Sequence, residues 1–405
     1  MTNPLQQPRQ PLIAILALAL IEFACSLDWM ALSAIGGALM RELALSPASY
    51  AVLVSTGSVV AGASGFLVAS FIDRFERRAV TECMVVGLLV VSLLTTMVSN
   101  YWILLTLRAL AGLFGATAAS QAYAMVTDLF EPRKQARAYA LVIGGFSASL
   151  GLGIPTLVFI ESHYGWHSIY YVIATLLGIT LVLVRLHIPK LAAHPGPAPW
   201  QQLTTMLRHR PHYLGLLMMS IVMGTGWILI PFIAPYFTYT LHKSPGEIAL
   251  FYLYAGAAVI TTNFLMSFLV DKWGVRRVVF GVIAVALPLQ WLLTHLNSAT
   301  ASYAILIAAC FYACSVARWS LCNQLMTSHI RPGMSGGMMS LSFALQECAG
   351  GVFVTAGGTL LSMHDGQMTG YDRLGLISFA FNGLLIYFIL LLSDDKAARP
   401  VIAPE

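Results

Sequence analysis

Ionisable side chains inside long apolar stretches are the residues of this chain most able to do chemistry. Asp28 lies near the middle of the apolar stretch 12–39, and Arg108 lies inside the stretch 101–128. A charge in a membrane interior is costly, so such residues usually face a cavity or an opposite charge and often carry protons. Glu22 sits about 240° from Asp28 around a helix, so the two carboxylates do not share a face. We predict that Asp28 and Glu22 couple proton movement. A static Asp28–Arg108 ion pair is the open alternative for Asp28, and pairing or snorkelling to the interface is the open alternative for Glu22.

The second half of the chain carries a comparable set of polar residues. Arg318 lies inside the stretch 300–328, and Gln346 and Glu347 lie inside the stretch 335–363. Arg318 and Glu347 could form an internal pair, which is less costly than either charge alone. They could instead contact a substrate, and the sequence leaves both readings open.

Further polar and aromatic residues are candidates to line a cavity with few fixed charges, which suits an amphipathic organic molecule. These candidates are Gln121, Tyr123, Trp227, Tyr236, Tyr252 and Asn263. Glycines and prolines surround Trp227 and Tyr236, so the helix that carries them is expected to be interrupted, as is common where helices line transport sites.

No catalytic motif accompanies these residues. The chain has no Walker sequence, no HExxH motif and no nucleophile elbow. Its six cysteines form neither a CxxC motif nor a Cys/His cluster. We therefore expect no enzyme, no cofactor and no metal. The alternatives from other classes are a membrane receptor that moves nothing and an intramembrane enzyme.

Composition indicates that lipid surrounds most of the chain. Apolar residues make up 58% of the 405 residues and charged residues only 10%, whereas a soluble domain carries about 25% charged residues. A membrane span needs roughly 20 predominantly apolar residues, and twelve such stretches are predicted. They are 12–39, 48–72, 79–98, 101–128, 136–160, 166–188, 213–240, 246–271, 277–296, 300–328, 335–363 and 371–392. The fold class predicted is an all-α integral membrane protein with twelve transmembrane helices.

A polar segment divides these spans into two sets of six. It predicts an N-terminal six-helix bundle of residues 1–188, a cytoplasmic linker of residues 189–212, and a C-terminal six-helix bundle with a short tail, residues 213–405. Asp73 and Asp271 occupy corresponding places in the two sets. Two pseudo-symmetric bundles with a site near the membrane midplane between them are therefore expected.

Lysines and arginines are concentrated on one side of the predicted spans. With the N-terminus inside, the outside loops hold only Arg41, Lys243 and Arg373 of the 22 basic residues. This bias predicts that both termini are cytoplasmic. It also accounts for the net charge of +5 without a nucleic-acid partner.

Two charged tags lie between spans two and three and between spans eight and nine. They read Asp73-Arg74-Phe75-Glu76-Arg77-Arg78 and Asp271-Lys272-Trp273-Gly274-Val275-Arg276-Arg277. Each resembles the loop signature G-x-x-x-D-R-x-G-R-R/K of major facilitator superfamily transporters, although Glu76 replaces a glycine of that signature. Eight residues are predicted to form a latch that holds the cytoplasmic face in one conformational state. The alternative is that they only set the membrane topology. They are Asp73, Arg74, Arg77, Arg78, Asp271, Lys272, Arg276 and Arg277.

Spans four and five carry further motifs of the same family. Arg108, followed by two glycines, resembles the span-four motif, whose arginine is implicated in the proton pathway of proton-coupled members. Gly144, Gly151 and Pro155 resemble the antiporter motif of span five, with Thr156 where the family has glycine. This stripe is predicted to pack against the other half, and the proline is predicted to bend the helix.

Over most of its length the chain resembles the drug/proton antiporter and sugar-efflux branch of this superfamily. The resemblance implies a transporter of the cell inner membrane that exports a small organic molecule, such as a drug, sugar or metabolite, by alternating access in exchange for protons. Such activity underlies multidrug resistance. The expected partners are the substrate, protons and the lipid bilayer, and the chain is expected to act as a monomer. The alternative is proton-coupled uptake of an organic anion held by Arg108 and Arg318.

Overall fold

The fold is almost entirely helical. The structure is a computed structural model that describes residues 10–72, 75–191, 209–296, 300–330 and 335–394, with side chains described except at 66–72, 132, 335–336 and 393–394. Residues 192–208 of the predicted linker lie outside this part. The helices of the first half are α1 Pro11–Ala34, α2 Gly36–Glu42, α3 Pro47–Ile72, α4 Arg77–Thr95, α5 Tyr101–Leu129, α6 Pro132–Ala148, α7 Ile154–Tyr164 and α8 Ser168–His187.

The second half repeats this plan with its own helices. They are α9 Arg210–Trp227, α10 Ile233–Tyr239, α11 Pro245–Trp273, α12 Val275–Thr294, α13 Ala304–Thr327, α14 Ser335–Leu360 and α15 Tyr371–Asp394. Between α14 and α15, the strands β1 Ser362–His364 and β2 Gln367–Thr369 form an antiparallel hairpin in which Met363 is opposite Met368.

These helices confirm the predicted membrane spans. Among the described residues, eleven helical segments are long and apolar enough to cross a membrane. Helix α3 has 26 residues and occupies the predicted second span. A helix rises about 1.5 Å per residue, so α3 is also long enough to cross a hydrocarbon core of about 30 Å. The chain is a multi-pass membrane protein with twelve spans.

Within the described ranges, three spans are broken, and the breaks in spans five and seven have a local cause. The predicted interruption of span seven is confirmed: α9 ends at Trp227, a 3₁₀ turn covers Ile230–Phe232, and α10 follows. Proline removes a backbone donor and crowds the preceding turn, and Pro231 lies in this break. In span five, the turn Ser149–Gly153 is π-helical just before Pro155. The wider turn accommodates the proline ring.

The break in span one is a difference from the predicted continuous stretch 12–39. Helix α1 ends at Ala34, and α2 begins at Gly36. A Cβ atom at Gly37 would overlap the side chain of Thr238 in α10. The glycines therefore let α2 approach the broken span of the other half, which pattern reasoning on a single span cannot detect.

The two halves pack most closely through α3 and α14, where small residues bring the backbones together. A Cβ atom at Gly351 would lie 3.1 Å from the Ser55 carbonyl oxygen, and one at Gly62 would lie 2.6 Å from the Ala344 carbonyl oxygen. The Ser55 and Thr355 hydroxyl groups form a 2.7 Å hydrogen bond across the same contact. The α3–α14 contact thus leaves no space between the two backbones at these points.

The halves are closed together at one face of the molecule. We call the face where α1 begins and α15 ends the terminal face, and the opposite face the distal face. Near the distal face, the Tyr50 hydroxyl donates to the Pro231 carbonyl oxygen at 2.9 Å, and the Tyr239 hydroxyl donates to the Gly37 carbonyl oxygen at 3.1 Å. Both bonds join one half to the other, so the distal face is closed.

Towards the terminal face the halves separate. One apolar core includes residues of both halves, such as Tyr50 and Phe232. A second core, nearer the terminal face, contains only residues of the second half, such as Val279 and Leu321. None of residues 260–273 of α11 is buried. In this segment Met266, Leu269 and Val270 pack only against the core of their own half, so the structure is open towards the terminal face.

Candidate functional site

Asp28 and Arg108 form a buried ion pair within the first half. Arg108 Nη1 lies 3.1 Å from Asp28 Oδ2, and the Tyr170 hydroxyl of α8 lies beside the guanidinium group. The pair joins α1 to α5, and α5 in turn runs close to α3, because a Cβ atom at Gly112 would overlap the Gly57 carbonyl oxygen. The structure therefore shows Asp28 and Arg108 paired in this state.

Glu22 occupies a different environment from Asp28, as the angle between them predicted. Its carboxylate accepts a 3.0 Å hydrogen bond from Ser26 and faces the Tyr123 hydroxyl of α5. Tyr123 stacks on Tyr139 of α6 with ring centroids 6.4 Å apart. The second carboxylate oxygen has no hydrogen-bond partner, and none of the ion pairs among the described residues includes Glu22. Glu22 is therefore a buried acid without a counter-cation in the part of the chain that the structure describes.

A narrow cavity lies between the halves, lined by hydroxyl and indole groups. Trp29 of α1 and Trp227 of α9 meet edge to face with ring centroids 4.5 Å apart, and the Trp29 indole donates to the Ser58 hydroxyl at 3.1 Å. The cavity is also lined by Ser33, Val54, Ser55, Met223, Gly350 and Val354. Trp227, which was selected from the sequence as a cavity candidate, lines this cavity. Ser33, Ser55 and Ser58 were missed, because hydroxyls on apolar helices are common and only their convergence on one cavity distinguishes them.

Arg318 and Glu347, which the sequence left as a possible pair, do not meet. Arg318 Nη1 donates to Asn382 Oδ1 at 2.9 Å, and Asn382 in turn donates to Gln290 Oε1 at 3.2 Å. Gln290 also accepts from Ser378 at 3.1 Å. No ion pair of the described residues includes Arg318. The guanidinium group points into the second half, towards α12 and α15, because that amide network provides the acceptors.

Glu347 lies on the face of α14 that is directed towards α3 of the first half. Glu347 is 7% exposed and faces the Ser58 hydroxyl of α3. Gln346, selected as a cavity residue, instead accepts a 2.5 Å hydrogen bond from the Trp319 indole and donates to the Ser342 hydroxyl at 2.8 Å. Of the two adjacent residues, only Glu347 reaches the contact between halves.

The remaining candidate cavity residues are spread over the fold. Tyr236 is buried, stacks on Tyr371 at 4.4 Å and donates to a backbone carbonyl at 2.8 Å. Tyr252 and Gln121 are buried, and Tyr252 belongs to the core that both halves share. Asn263 is exposed on the separated part of α11. Helix rotation and the break in span seven decide these positions, and neither follows from composition.

The first charged tag ties helices of one half together. Asp73 and Arg74 lie outside the described residues. Arg77 Nε lies 3.2 Å from Asp128 at the end of α5, and Arg78 donates to Glu82 at 2.8 Å and to the Ile188 carbonyl oxygen at 2.7 Å. The described contacts of this tag therefore stay within the first half in this open state.

Glu76, the departure from the family signature, has a structural role. Its carboxylate caps α4 by accepting from the Arg78 and Ala79 amides at 3.1 and 3.2 Å, and it accepts from the Leu191 amide at 2.9 Å. The second tag forms the turn between α11 and α12, in which Gly274 has a φ of +79°. Its charged residues are exposed: Asp271, Lys272, Arg276 and Arg277.

Span five contacts α11 of the other half at its glycine stripe and along α7. A Cβ atom at Gly256 of α11 would overlap Gly151, so the two backbones touch. Nothing lies within 4 Å of a Cβ atom placed on Gly144. The halves thus meet at the π-helical turn before Pro155 and diverge one to two turns nearer the terminal face.

Comparison with known proteins identifies the family. The family described as Major Facilitator Superfamily matches residues 18–355. The chain is 24% identical to an uncharacterized MFS-type transporter, YbcL, of Bacillus subtilis over 91% of this chain and 94% of that protein. It is 22% identical to a "Probable sugar efflux transporter" of Pasteurella multocida over 78% of this chain and 77% of that protein.

Solved structures show the same fold. A bacterial homolog of the human lysosomal transporter Spinster, in an inward-facing and unoccupied conformation, superimposes with a TM-score of 0.76 at 16% identity, over 94% of this chain and 96% of that chain. The fold, the paired halves and the family match agree. This chain belongs to the Major Facilitator Superfamily, whose members are transporters and not enzymes.

Proposed function

We propose that this transporter exports a small organic molecule across the cell inner membrane in exchange for protons. The observation that carries the proposal is the Glu22 carboxylate, buried next to Ser26 and Tyr123 without a counter-cation. A buried charge without a partner is costly, and binding a proton removes that cost. Glu22 is therefore the group of the first half best suited to bind and release a proton.

Asp28 and Arg108 have a supporting part in this proposal. Asp28 is held by Arg108 in the distal-closed state. For Asp28 to carry a proton, Arg108 must give up this contact, for example when the halves rock and α5 moves against α1. We propose that the pair opens and closes during the cycle, while Glu22 exchanges the proton directly.

The alternating motion is proposed to occur between the two six-helix bundles. Most of the lysines and arginines that the structure describes lie at the terminal face, which favours its assignment to the cytoplasm. The structure then corresponds to a state open to the cytoplasm and closed outside by Tyr50 and Tyr239. Export requires substrate to enter from this open side.

The chemistry of the shared cavity favours a neutral or cationic substrate. Its wall offers serine hydroxyls and two indoles, groups that hydrogen-bond and stack on polar organic molecules. A relative named a probable sugar efflux transporter is consistent with this chemistry. Uptake of an anion between Arg108 and Arg318 is disfavoured, because both guanidinium groups are directed into their own halves.

The test is proton movement in proteoliposomes that contain a pH-sensitive dye. A panel of sugars, amphipathic cations and carboxylates is applied to the wild type, Glu22→Gln, Asp28→Asn and the control Glu131→Gln, whose carboxylate lies on the surface. We expect one class of compound to evoke proton flux opposite to its own movement, with loss of this flux in Glu22→Gln and retention in Glu131→Gln. Flux in the same direction as the compound would refute export by exchange, and unchanged flux in Glu22→Gln would remove Glu22 from coupling.

A further inference from the structure

Glu347 is a buried acid that has no part in the proton exchange proposed for Glu22. It is buried at the α3–α14 contact, where its carboxylate faces the Ser58 hydroxyl. Its Oε2 atom has no hydrogen-bond partner. Glu347 lies one turn from Gly350, which lines the cavity between the halves. It is thus an incompletely hydrogen-bonded acid at the contact that alternating access must rearrange.

The groups around Glu347 provide one hydrogen bond and no positive charge. From α3, the Ser58 hydroxyl faces the carboxylate, and because Ser58 already accepts from the Trp29 indole at 3.1 Å, its own hydrogen is free to be donated. On α14 itself the nearest titratable group is the Cys348 thiol. From α9, the other long helix packed on this part of α14, Met223 and Trp227 approach Gly350. Among the described residues, no ion pair includes Glu347.

The packing around Glu347 leaves little space for water to solvate a charge. On one side of it along α14, the Gly62 backbone approaches the Ala344 carbonyl oxygen. On the other side, the Ser55 and Thr355 hydroxyls are 2.7 Å apart. A carboxylate enclosed in this way, with one hydroxyl donor, costs several kcal/mol more than its neutral form unless the contact opens.

We propose that Glu347 is a second proton-binding site, and that its protonation state controls the contact between α3 and α14. With a proton bound, the neutral side chain allows the two helices to pack as in this structure. When the proton leaves, the charge is solvated by separation of α3 from α14 and entry of water beside Ser58. This inference rests on the proposed proton coupling and extends it to the second half.

The direction in which protonation of Glu347 acts is the one that exchange of a proton for an exported molecule requires. A proton taken up from the distal side stabilises the distal-closed state and so returns the empty transporter to the cytoplasm-facing conformation. Release of that proton towards the terminal face makes the closed contact costly and favours reopening. Each cycle would then move a proton on Glu347 opposite to the exported molecule.

The test is a cross-link across the contact, measured without substrate. Ser55→Cys and Thr355→Cys are introduced into a chain whose six native cysteines are replaced, and disulfide formation is followed between about pH 5.5 and 8.5. Thiol ionisation itself depends on pH, so each rate is divided by the rate in the same chain carrying Glu347→Gln, a neutral side chain of the same shape. The ratio isolates the contribution of Glu347.

We expect the ratio to fall as pH rises, because ionised Glu347 opens the contact and neutral Gln does not. One coupled proton sets a limiting slope of about tenfold per pH unit. A control chain carrying Glu22→Gln should keep the pH dependence. A ratio that stays flat over the whole range overturns the proposal.

A substitute variant and a comparison with proton exchange complete the test. If Glu347→Gln does not fold, Ser58→Ala replaces it: loss of the hydroxyl donor should move the midpoint of cross-linking to higher pH, and an unmoved midpoint contradicts the proposal. The cross-link needs no transport, so a pH-dependent ratio with no proton exchange in proteoliposomes would reject the proposed function alone. Exchange with a flat ratio would reject the role of Glu347 alone.

Discussion

The buried Asp28–Arg108 pair gives the sharpest energetic prediction. Its atoms are 3.1 Å apart, with side chains 6% and 4% exposed. At this distance and an effective dielectric constant of about 20, the Coulomb attraction is about 5 kcal/mol, most of which offsets the desolvation of the two groups. Removing one partner leaves the other charge buried, and we expect Asp28→Asn to lower the free energy of unfolding by about 3–5 kcal/mol.

The double variant Asp28→Asn/Arg108→Gln should lower the free energy of unfolding by far less than the sum of the two single changes, because no unpaired charge remains. The two single variants should also differ with pH. An unpaired Asp28 in Arg108→Gln can escape its cost by binding a proton, whereas the guanidinium group left in Asp28→Asn cannot lose one. The destabilisation by Arg108→Gln should therefore shrink as pH falls, and that by Asp28→Asn should not.

The assay is reversible unfolding in mixed micelles by titration with SDS, followed by circular dichroism. The control is Lys134→Gln, which breaks an exposed pair with Glu131 and should change the free energy of unfolding by about 1 kcal/mol or less. A loss below about 1 kcal/mol in Asp28→Asn, or strict additivity in the double variant, would refute the assignment of Asp28 and Arg108 as a buried pair.

Three other predictions concern packing. Gly256→Ala should reduce the transport rate at least tenfold because its Cβ atom meets the backbone of span five, whereas Gly144→Ala, which meets nothing, should transport normally. Tyr50→Phe removes a hydroxyl bonded across the distal face, and the loss of about 1 kcal/mol should raise maleimide labelling of a distal cysteine roughly fivefold. Asn382→Leu should lower the free energy of unfolding by about 2 kcal/mol or more, because it leaves Arg318 without its amide acceptor. Adding Arg318→Met to the same chain should recover part of the lost free energy of unfolding.

Local pattern was sufficient for the architecture. Hydropathy requires that apolar stretches cross the membrane as helices, because no other structure satisfies the backbone in lipid apart from a closed barrel. Twelve spans, the division into halves and the break near Pro231 all followed from residue type and spacing. The break at Ile35 did not, because it depends on contact between α2 and α10 of the other half.

The site shows the same division between local pattern and long-range packing. The sequence selected Glu22, Asp28, Arg108 and Glu347, because a charge inside an apolar span is conspicuous. It could offer the Asp28–Arg108 pair only as one alternative, since the two residues lie on helices remote in the sequence. Only the packing of α1 on α5 placed Asp28 against Arg108 and left Glu22 without a cation.

The second half makes this point most clearly. Arg318 and Glu347 have opposite charges on neighbouring spans, and sequence alone could not exclude that they pair. The rotation of α13 directs Arg318 to Asn382, and the rotation of α14 directs Glu347 to Ser58 of the other half. Amino-acid type and spacing determined that this chain crosses the membrane and which charges lie inside it. The tertiary structure decided which of those charges are neutralised, because helix rotation and helix–helix contact bring together residues that no local pattern connects.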